Sequence, residues 1–445
     1  MKKSLWKPSE EHILSSQMWD FMQKVNTKHG TNLDSYNKLY LWSIENPHFF
    51  WEDVWNYCEI IYSQSFSSVI DNVACKPGAN WFEHSRLNFA ENLLRFQDDR
   101  PALLFKGEDK IKRVLTYGEL YKEVARLSSA LKSAGINQGD RVTGFIPNIP
   151  EAVIAMLSSA SIGSVWSSTS PEFGIKGVLD RFTQIEPKIL FAADGYFYNG
   201  KRFDSMEKLN EILKYLPSIE KVVIIPYTNK KPDISSLCNS ILYDDFLSSC
   251  SDESIDFNQL PFDHPLYIMY SSGTTGLPKS IVHSAGGTLI QHLKELRLHT
   301  NLTRYDNIFY FTTTGWMMWN WLVSSLAVGA TVVLYDGSPL YPKRDAMWRL
   351  IEDLEITIFG TSAKFIAASQ VSGLKPIDKF NLSELNTILS TGSPLVEENY
   401  DYIYRDVKPN LQLSSISGGT DIISCFALGN PMLPVYRGEL QCIGL

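Results

Sequence analysis

The sequence predicts an α/β protein in which parallel sheets carry helices on both faces. Strand-like and helix-like patterns alternate from about residue 102 onward, and alternating βα units imply parallel sheets. The length of 445 residues allows about two to four domains at roughly 100–200 residues each. A hydrophobic content of 44% and a charged content of 20% are ordinary for a globular protein with a large core.

The first hundred residues are rich in tryptophan and predict irregular helical segments. The six indoles of this region are Trp6, Trp19, Trp42, Trp51, Trp55 and Trp81. Packing is the ordinary role of so large a side chain, so we expect these residues to be structural.

The first predicted helix follows Thr116. Thr116 and Glu119 have the spacing of a capping box, which begins a helix. Apolar residues then recur at helical spacing at Leu120, Val124, Leu127 and Leu131. Gly135 can end this helix.

Strands and helices continue to alternate after that helix. Further strands are predicted at 141–146, 188–193, 330–336, 356–360, 386–392 and 411–416. A helix is predicted at 151–163, and another carries Leu289, Leu293 and Leu296 on one face. Ligands of such sheets bind in loops beyond the carboxyl ends of the strands. Three loops occupy such places, at 270–280, 390–395 and 415–421.

The loop 270–280, "YSSGTTGLPKS", combines glycines, hydroxyls and one lysine. Such a loop can hold phosphate, because glycines let backbone N–H groups approach oxygen atoms closely. It is not a Walker loop, since the second glycine counted from Gly273 would fall at Pro278. A flexible linker is the alternative, but linkers do not usually lie between two apolar runs.

Charge and cysteine content narrow the function classes. A formal charge of −8 and a pI near 5.6 give no general attraction to nucleic acid or anionic membranes. The six cysteines show no zinc-like spacing, which favours reduced thiols. Neither a signal peptide nor a long apolar span is visible. We therefore expect a cytoplasmic protein without a membrane span.

Residues 271–279 match the pattern S/T–S/G–G–S/T–T–G–x–P–K at nine consecutive positions. By this loop the chain resembles the adenylate-forming family, which includes the acyl-CoA synthetases. The resemblance implies that the loop holds the ATP phosphates and that Lys279 also serves catalysis. The implied phosphate-loop residues are Ser271, Ser272, Gly273, Thr274, Thr275, Gly276 and Lys279.

Two more stretches resemble nucleotide-binding segments of that family. The turn Gly392, Ser393 and Pro394 is similar to its adenine-contacting turn. The second stretch supplies Ser415, Ile416, Ser417, Gly418, Gly419 and Thr420. The resemblance implies that Thr420 is catalytic and contacts the α-phosphate, and that Asp421 holds Mg²⁺ where the family usually has glutamate. A helix cap is the structural alternative for Asp421.

The segment 312–321 resembles one wall of the family's acyl pocket, which implies Trp316, Met317 and Met318 as pocket residues. Ordinary aromatic core is the alternative. Acetate-activating members have tryptophan at the position of Gly418, so the resemblance implies a roomier pocket here. Lys201 and Arg202 lie where relatives hold a phosphate of coenzyme A, with surface solvation as the alternative.

The segments 81–94 and 415–442 resemble the acetoacetate-activating group of the family. The resemblance implies formation of acetoacetyl-CoA from acetoacetate, ATP and CoA through an acyl-adenylate. Another short acid is one alternative, and a non-catalytic nucleotide-binding remnant is another. Small molecules are the only expected partners, and the oligomeric state is not predicted.

The resemblance also implies a domain layout. It comprises an N-terminal extension at 1–100, an α/β subdomain at 101–260, a second with the phosphate loop at 261–430, and the start of a small β-barrel at 431–445. Family members continue into a domain that bears a catalytic lysine. We therefore expect the 445 residues alone to be inactive. Because the implied barrel is incomplete, we also expect Val435, Tyr436 and Leu440 to lack their usual strand partners.

Overall fold

In the computed structural model, the described residues are 3–248, 250, 252–271 and 276–445. The strands, in chain order, are β1 Ser68–Ile70, β2 Trp81–Glu83, β3 Arg86–Leu87, β4 Pro101–Gly107, β5 Ile111–Thr116, β6 Arg141–Phe145, β7 Val165–Thr169, β8 Ile189–Ala193, β9 Gly195–Tyr198, β10 Lys201–Asp204, β11 Lys221–Ile225, β12 Ser240–Leu242, β13 Leu260–Pro261, β14 Pro265–Ser271, β15 Lys279–Ser284, β16 Asn307–Tyr310, β17 Thr331–Asp336, β18 Ile358–Ser362, β19 Thr387–Thr391, β20 Gln412–Ser415, β21 Ser417–Gly419, β22 Ser424–Leu428 and β23 Cys442–Ile443.

The helices are α1 Glu10–Ser15, α2 Gln17–His29, α3 Tyr36–Glu45, α4 Pro47–Tyr57, α5 Phe89–Leu93, α6 Tyr117–Ser133, α7 Pro150–Ser161, α8 Ile175–Phe182, α9 Met206–Leu213, α10 Tyr243–Leu247, α11 Ala285–Lys294, α12 Met317–Val323, α13 Ala346–Asp353, α14 Ala363–Val371 and α15 Glu397–Tyr402. Two 3₁₀ turns are Ser324–Val328 and Pro376–Asp378, and two π-helical turns are Glu295–His299 and Ile403–Val407.

Two seven-stranded sheets form the body of the protein. The first has the strand order β12-β11-β8-β6-β7-β14-β15, and the second has the order β20-β19-β18-β16-β17-β4-β5. All neighbours within each sheet are parallel except the final pair, where β15 and β5 return antiparallel as edge strands. The predicted α/β class with parallel sheets is confirmed.

The two sheets exchange hairpins along the chain. The hairpin β4–β5 comes first in sequence but pairs with β17 in the second sheet. The hairpin β14–β15 follows residue 260 but pairs with β7 in the first sheet. The expected boundary near residue 260 thus separates each sheet from one of its own hairpins. The proposed domain limits stay a prediction.

Local sequence signals explain where elements begin. The capping box before α6 is present, since the Glu119 amide donates to Thr116 Oγ1 at 3.1 Å and the Thr116 amide donates to Glu119 Oε2 at 2.8 Å. Gly135 lies just beyond this helix with a φ of 82°, a left-handed conformation that glycine adopts without strain. Pro150 occupies the first turn of α7, where its missing N–H costs nothing.

The N-terminal region is helical as expected, with α1 to α5 and three short strands. Trp6, Trp42 and Trp55 are buried and Trp19 and Trp51 are partly buried, so they pack as predicted. Trp81 is 36% exposed and meets Trp51 edge-on with ring centroids 6.1 Å apart.

The end of the described chain forms a three-stranded antiparallel sheet, β21-β22-β23. It begins at Ser417, before the expected barrel start at 431. Val435 has one backbone partner, an isolated bridge to Trp6 outside the named strands, and the expected absence of its usual strand partners stays a prediction. Val435 is fully buried and exchanges two backbone hydrogen bonds with Leu5 and Trp6, because the N-terminal segment runs beside it.

Within the described ranges, no helix combines the length and the apolar character needed to cross a membrane. Cys58, Cys75, Cys238, Cys425 and Cys442 are free thiols. The expected cytoplasmic location stays a prediction.

Candidate active site

The ends of β19 and β20 border an open cavity of about 470 Å³. These strands are neighbours, so the loops at their carboxyl ends meet. The structure brings together seven of the residues implied for ATP, namely Gly392, Ser393, Pro394, Ser415, Ile416, Ser417 and Gly418. Residues 438–440 and Tyr400 close the opposite side.

Gly392 sits where the backbone turns sharply after β19. Its φ of 84° is left-handed, so a side chain here would strain the turn. A Cβ on Gly392 would lie 3.8 Å from the nearest atom of the Trp316 ring. The expected adenine turn and the expected acyl wall are therefore in near contact.

A second, smaller cavity of about 100 Å³ adjoins the first. It is lined by the implied pocket residues Trp316, Met317, Met318 and Gly418, and by Gly419, Thr420, Ser424 and Cys425. Thr391, Gly392, Ile416 and Gly418 line both cavities. A nucleotide-sized space thus lies next to a small and partly apolar one.

Gly418 contributes backbone to both cavities, but its missing side chain does not point into them. A Cβ on Gly418 would lie 2.2 Å from the Ser424 carbonyl oxygen and 2.8 Å from the Cys425 Cα, because β22 packs against it. An indole at residue 418 would therefore displace this hairpin before it filled the smaller cavity.

The expected phosphate loop joins β14 to β15. Ser271 and Lys279 are paired at the base of this hairpin, so the loop is anchored at both ends. Lys279 and Gly276 are exposed, and neither these residues nor Ser271 line the two cavities. Ser272, Gly273, Thr274 and Thr275 lie outside the described residues.

His283 was missed in the sequence, where nothing but its place four residues after Lys279 marked it. It lies on β15 and is buried beside the backbone of Thr420 and the carboxylate of Asp421. Burial lowers the pKa of the His283 imidazole, and these two neighbours oppose that shift. His283 therefore connects the phosphate-loop hairpin to the turn between β21 and β22.

Asp421 is exposed within that turn and does not cap a helix, which excludes the structural alternative. Across the described parts of the chain, no group of three or more His, Cys, Asp and Glu side chains could hold a metal ion. Any ion at this turn would take one protein carboxylate and complete its shell with phosphate oxygens and water.

Lys201 and Arg202 begin β10 and are exposed. Arg202 Nε donates to Thr228 Oγ1 at 3.1 Å. The same β9–β10 hairpin places Tyr196, Tyr198 and Phe203 on a further cavity of about 390 Å³ between the two sheets. The opening is partly aromatic and was not revealed by the sequence. Lys201 pairs with Tyr198 of its lining, but neither cation lines the cavity itself.

Two buried carboxylates shape this opening, and no local motif marked them. Glu108 accepts hydrogen bonds from the amides of Asn199 at 2.6 Å, Gly200 at 2.9 Å and Ser338 at 2.9 Å, which ties the hairpin to the second sheet. Asp336 lines the cavity, and burial raises its pKa to about 7 although the Tyr227 hydroxyl donates to it at 2.8 Å.

Comparisons with known proteins agree with this geometry. The profile described as AMP-binding enzyme matches residues 89–436, and the profile described as acetyl-coenzyme A synthetase N-terminus matches residues 36–93. An acetoacetyl-CoA synthetase of Danio rerio is 51% identical over 452 residues, covering 100% of this chain and 67% of that protein. A malonamoyl-CoA synthetase of Penicillium aethiopicum is 40% identical over 468 residues, covering 99% and 64%.

A solved structure, the acetoacetyl-CoA synthetase from Streptomyces lividans, superposes with a TM-score of 0.94 at 40% identity. The match covers 100% of this chain and 69% of that one. The chain spans about two thirds of the length of the curated relatives it matches.

Proposed function

We propose that this chain, which belongs to the AMP-binding enzyme family, carries the ATP and acid sites of an acid–thiol ligase that joins acetoacetate to coenzyme A at the expense of ATP. The observation that carries the proposal is the pair of adjoining cavities, one of nucleotide size and one of about 100 Å³, which share four lining residues. An acid held in the smaller space would present its carboxylate to a nucleotide held in the larger one.

ATP would lie along the carboxyl ends of β19 and β20. Gly392, Ser393 and Pro394 would face the adenine, and the segment 415–420 would follow the ribose and the α-phosphate. Lys279 would contact the outer phosphates. A mobile lysine and backbone amides neutralise phosphate charge without a rigid cage.

A magnesium ion fits this arrangement through the single carboxylate of Asp421. Bound with ATP, it would neutralise phosphate charge, and Mg²⁺ is commonly held by one or two carboxylates together with phosphates and waters. Asp421 has a shorter side chain than the glutamate usual in the family, but it offers the same oxygen ligands.

The reaction would run in two displacements. A carboxylate oxygen of the acid forms a bond to the α-phosphorus of ATP while the bond to the bridging oxygen breaks, and diphosphate leaves with that electron pair. The CoA thiolate then attacks the carbonyl carbon, and AMP leaves. Thr420 would orient the α-phosphate, and positioning of this kind accounts for much of phosphoryl-transfer catalysis.

Coenzyme A would enter by the third cavity. Its phosphate would meet Lys201 and Arg202 at the rim, and its pantetheine arm would pass Tyr196, Tyr198 and Phe203. The exposure of both cations and the aromatic lining of the opening support this assignment.

Malonamate is a second candidate acid, because a relative named malonamoyl-CoA synthetase is 40% identical to this chain. Malonamate bears an amide at the position where acetoacetate bears a methyl ketone. A pocket of fixed size discriminates weakly between acids of equal length unless a polar group reads the difference.

Thioester formation is the test. The chain joined to the part of the Danio rerio relative that it does not cover is supplied with ATP, Mg²⁺, CoA and one acid, with acetoacetate, malonamate, butyrate and acetate compared by kcat/KM. We expect acetoacetate to be preferred over acetate, and Lys279→Ala to reduce every rate. A fusion that binds ATP but makes no thioester from any of the four acids would support the non-catalytic alternative.

The 445-residue chain alone is the matched arm of that experiment. Its expected inactivity stays a prediction. Turnover on the order of 1–10³ per second by this chain would place the catalytic group within the 445 residues.

A further inference from the structure

The smaller cavity has two walls that come from different parts of the fold. The α12 wall is Met317 and Met318 at the start of α12. The hairpin wall is the β21–β22 hairpin, with Gly418, Gly419, Ser424 and Cys425. The separation of these walls decides how large an acid the cavity admits.

Glu295 lies behind both walls and is fully buried at the first position of a π-helical turn. Its Oε2 accepts from the Trp321 Nε1–H at 2.9 Å. Its Oε1 accepts from Ser424 Oγ at 2.7 Å and from the Cys425 amide at 2.9 Å. Trp321 is one helical turn from Met317, so one carboxylate holds the α12 wall with one oxygen and the hairpin wall with the other.

His292, three residues earlier, repeats this connection. It is fully buried, and its Nε2 lies 2.8 Å from the Ile423 carbonyl oxygen while its Nδ1 lies 2.8 Å from Ser324 Oγ. The Ile423 carbonyl can only accept, so Nε2 carries the proton. Ile423 belongs to the hairpin turn and Ser324 directly follows α12. Burial lowers the pKa of His292 to about 4, so this neutral ring persists at neutral pH.

The hairpin turn needs such support. Ile423 has a φ of 47°, a left-handed conformation that is strained for a β-branched residue. A strained residue keeps its conformation only when its surroundings over-determine it. The same turn carries Thr420 and Asp421, so any relaxation of Ile423 would move them too.

We propose that His292 and Glu295 form a brace that fixes the distance between the two walls and thereby sets which acids fit. The proposal rests on the proposed function for the acid, but the brace itself is a matter of structure. Glu295 and His292 are positioning residues, since they reach the substrate space only through Trp321, Ser324, Ile423, Ser424 and Cys425.

Glu295→Gln is the main variant. Glutamine offers one acceptor oxygen, so its NH₂ must face either the Trp321 N–H or the Cys425 N–H. Because both groups can only donate, one of the two walls loses that hydrogen bond. Lys294 lies beside Glu295 and is buried, so the charge loss also affects stability. Trp321→Phe is therefore a second variant, because it frees the α12 wall and keeps the carboxylate.

Asp306→Asn is the matched control. Asp306 accepts from the Thr303 amide and hydroxyl at 2.7 Å each and from Thr357 Oγ1 at 2.8 Å. It directly precedes β16, so it lies at the amino-terminal ends of the strands, whereas the site lies at their carboxyl ends. Its change from carboxylate to amide removes the same charge without touching either wall.

Hydrogen exchange on the 445-residue chain tests the brace without catalysis. We expect the amides of 417–428 to exchange about tenfold faster or more in Glu295→Gln, because a lost buried acceptor lowers the local opening free energy. Asp306→Asn should leave this segment unchanged. Unaltered exchange of the hairpin in Glu295→Gln would overturn the brace.

Calorimetry with ethyl and butyl esters of AMP tests acid selection, since these esters mimic short and long acyl-adenylates. We expect the ratio of the two dissociation constants to change about fivefold or more in Glu295→Gln and Trp321→Phe, and to hold in Asp306→Asn. An unchanged ratio in both brace variants would overturn the selective role. If the unaltered chain binds neither ester, the proposed function fails and the selective role fails with it, while hydrogen exchange still decides whether the brace exists.

Discussion

The Thr391 hydroxyl donates a hydrogen bond to the Ile416 carbonyl oxygen at 2.9 Å. Thr391 ends β19 and Ile416 follows β20, so this bond joins two neighbouring strands just where their ladder stops. The Ile416 amide adds a bond to the Ser390 carbonyl at 2.8 Å. These contacts set the spacing between the expected adenine turn and the segment expected to follow the α-phosphate.

Thr391→Val should weaken AMP binding. Valine keeps the shape of threonine but removes the donor, and a neutral hydrogen bond is worth about 0.5–1.5 kcal/mol, so affinity should fall roughly threefold to tenfold. Calorimetry measures it. Thr331→Val is the control, because that hydroxyl donates to the Pro101 carbonyl at 2.8 Å at the other end of the same sheet. Equal losses in both variants would contradict a local role for Thr391.

Lys279→Ala should weaken ATP binding and leave AMP binding unchanged. A charge-assisted bond is worth about 1.5–3 kcal/mol, so ATP affinity should fall roughly tenfold to a hundredfold. AMP lacks the outer phosphates that Lys279 would contact. Lys214→Ala, remote and exposed, controls for net charge. Equal ATP affinity in Lys279→Ala and the unaltered chain would remove Lys279 from the site.

Gly418→Ala should destabilise the protein while Gly419→Ala should not. A Cβ on Gly418 would lie 2.2 Å from the Ser424 oxygen, whereas a Cβ on Gly419 would meet nothing within 4 Å. Overpacking of this kind costs about 1–3 kcal/mol in unfolding free energy. Urea denaturation compares the two. Similar midpoints would show that the hairpin yields easily, and Gly418→Trp would then become a fair test of acid selection.

Asp336→Asn should change how stability depends on pH. Burial raises the pKa of Asp336 from 3.8 to about 7, so the folded state binds a proton that the unfolded state has lost between these values. This contribution is fully present below pH 4 and is lost as pH rises to about 7, to a total of the order of 4 kcal/mol. Urea denaturation from pH 4 to 8 measures this contribution as the difference in unfolding free energy between the unaltered chain and the variant.

The unaltered chain must be compared with the variant because two buried histidines change the pH dependence of stability in the opposite direction. Burial lowers the pKa of His292 to about 4 and of His299 to about 3, so their contribution to stability rises with pH up to about 6.5. Tyr227→Phe is the companion variant. Losing its bond to Asp336 should raise the pKa of Asp336 further and move the window upward. Parallel profiles for unaltered chain and Asp336→Asn would contradict the assignment.

Sequence reasoning reached those parts of the fold where local signals dominate. The capping box at Thr116 began α6, and buried apolar runs such as 141–146 and 188–193 became central parallel strands. The partners of the edge hairpins were not predicted. Nothing in residues 101–116 states that they pair with β17, since that choice depends on the assembled sheet.

Some residues of the candidate site could also be recognised from the sequence, and others could not. Trp316, Met317 and Met318 were recognised by resemblance, and the structure gathers them around the smaller cavity. Glu295 and Asp336 escaped notice because a lone acidic residue in sequence resembles a solvated one, and only packing reveals its burial. The bridge between Val435 and Trp6 was not predicted, because its two residues are more than four hundred residues apart in sequence.

The exchange of hairpins between the sheets sets the order in which a nascent chain can complete them. β4 pairs with β17 through Leu103 and Val332, which are roughly 230 residues apart in sequence. Closing so long a loop costs conformational entropy before the stabilising contacts between the strands can form. At about 5–20 residues per second of synthesis, the β4–β5 hairpin waits on the order of 10–50 seconds for its neighbour. During that interval its open strand edge can pair with other chains, and correct closure competes with early association.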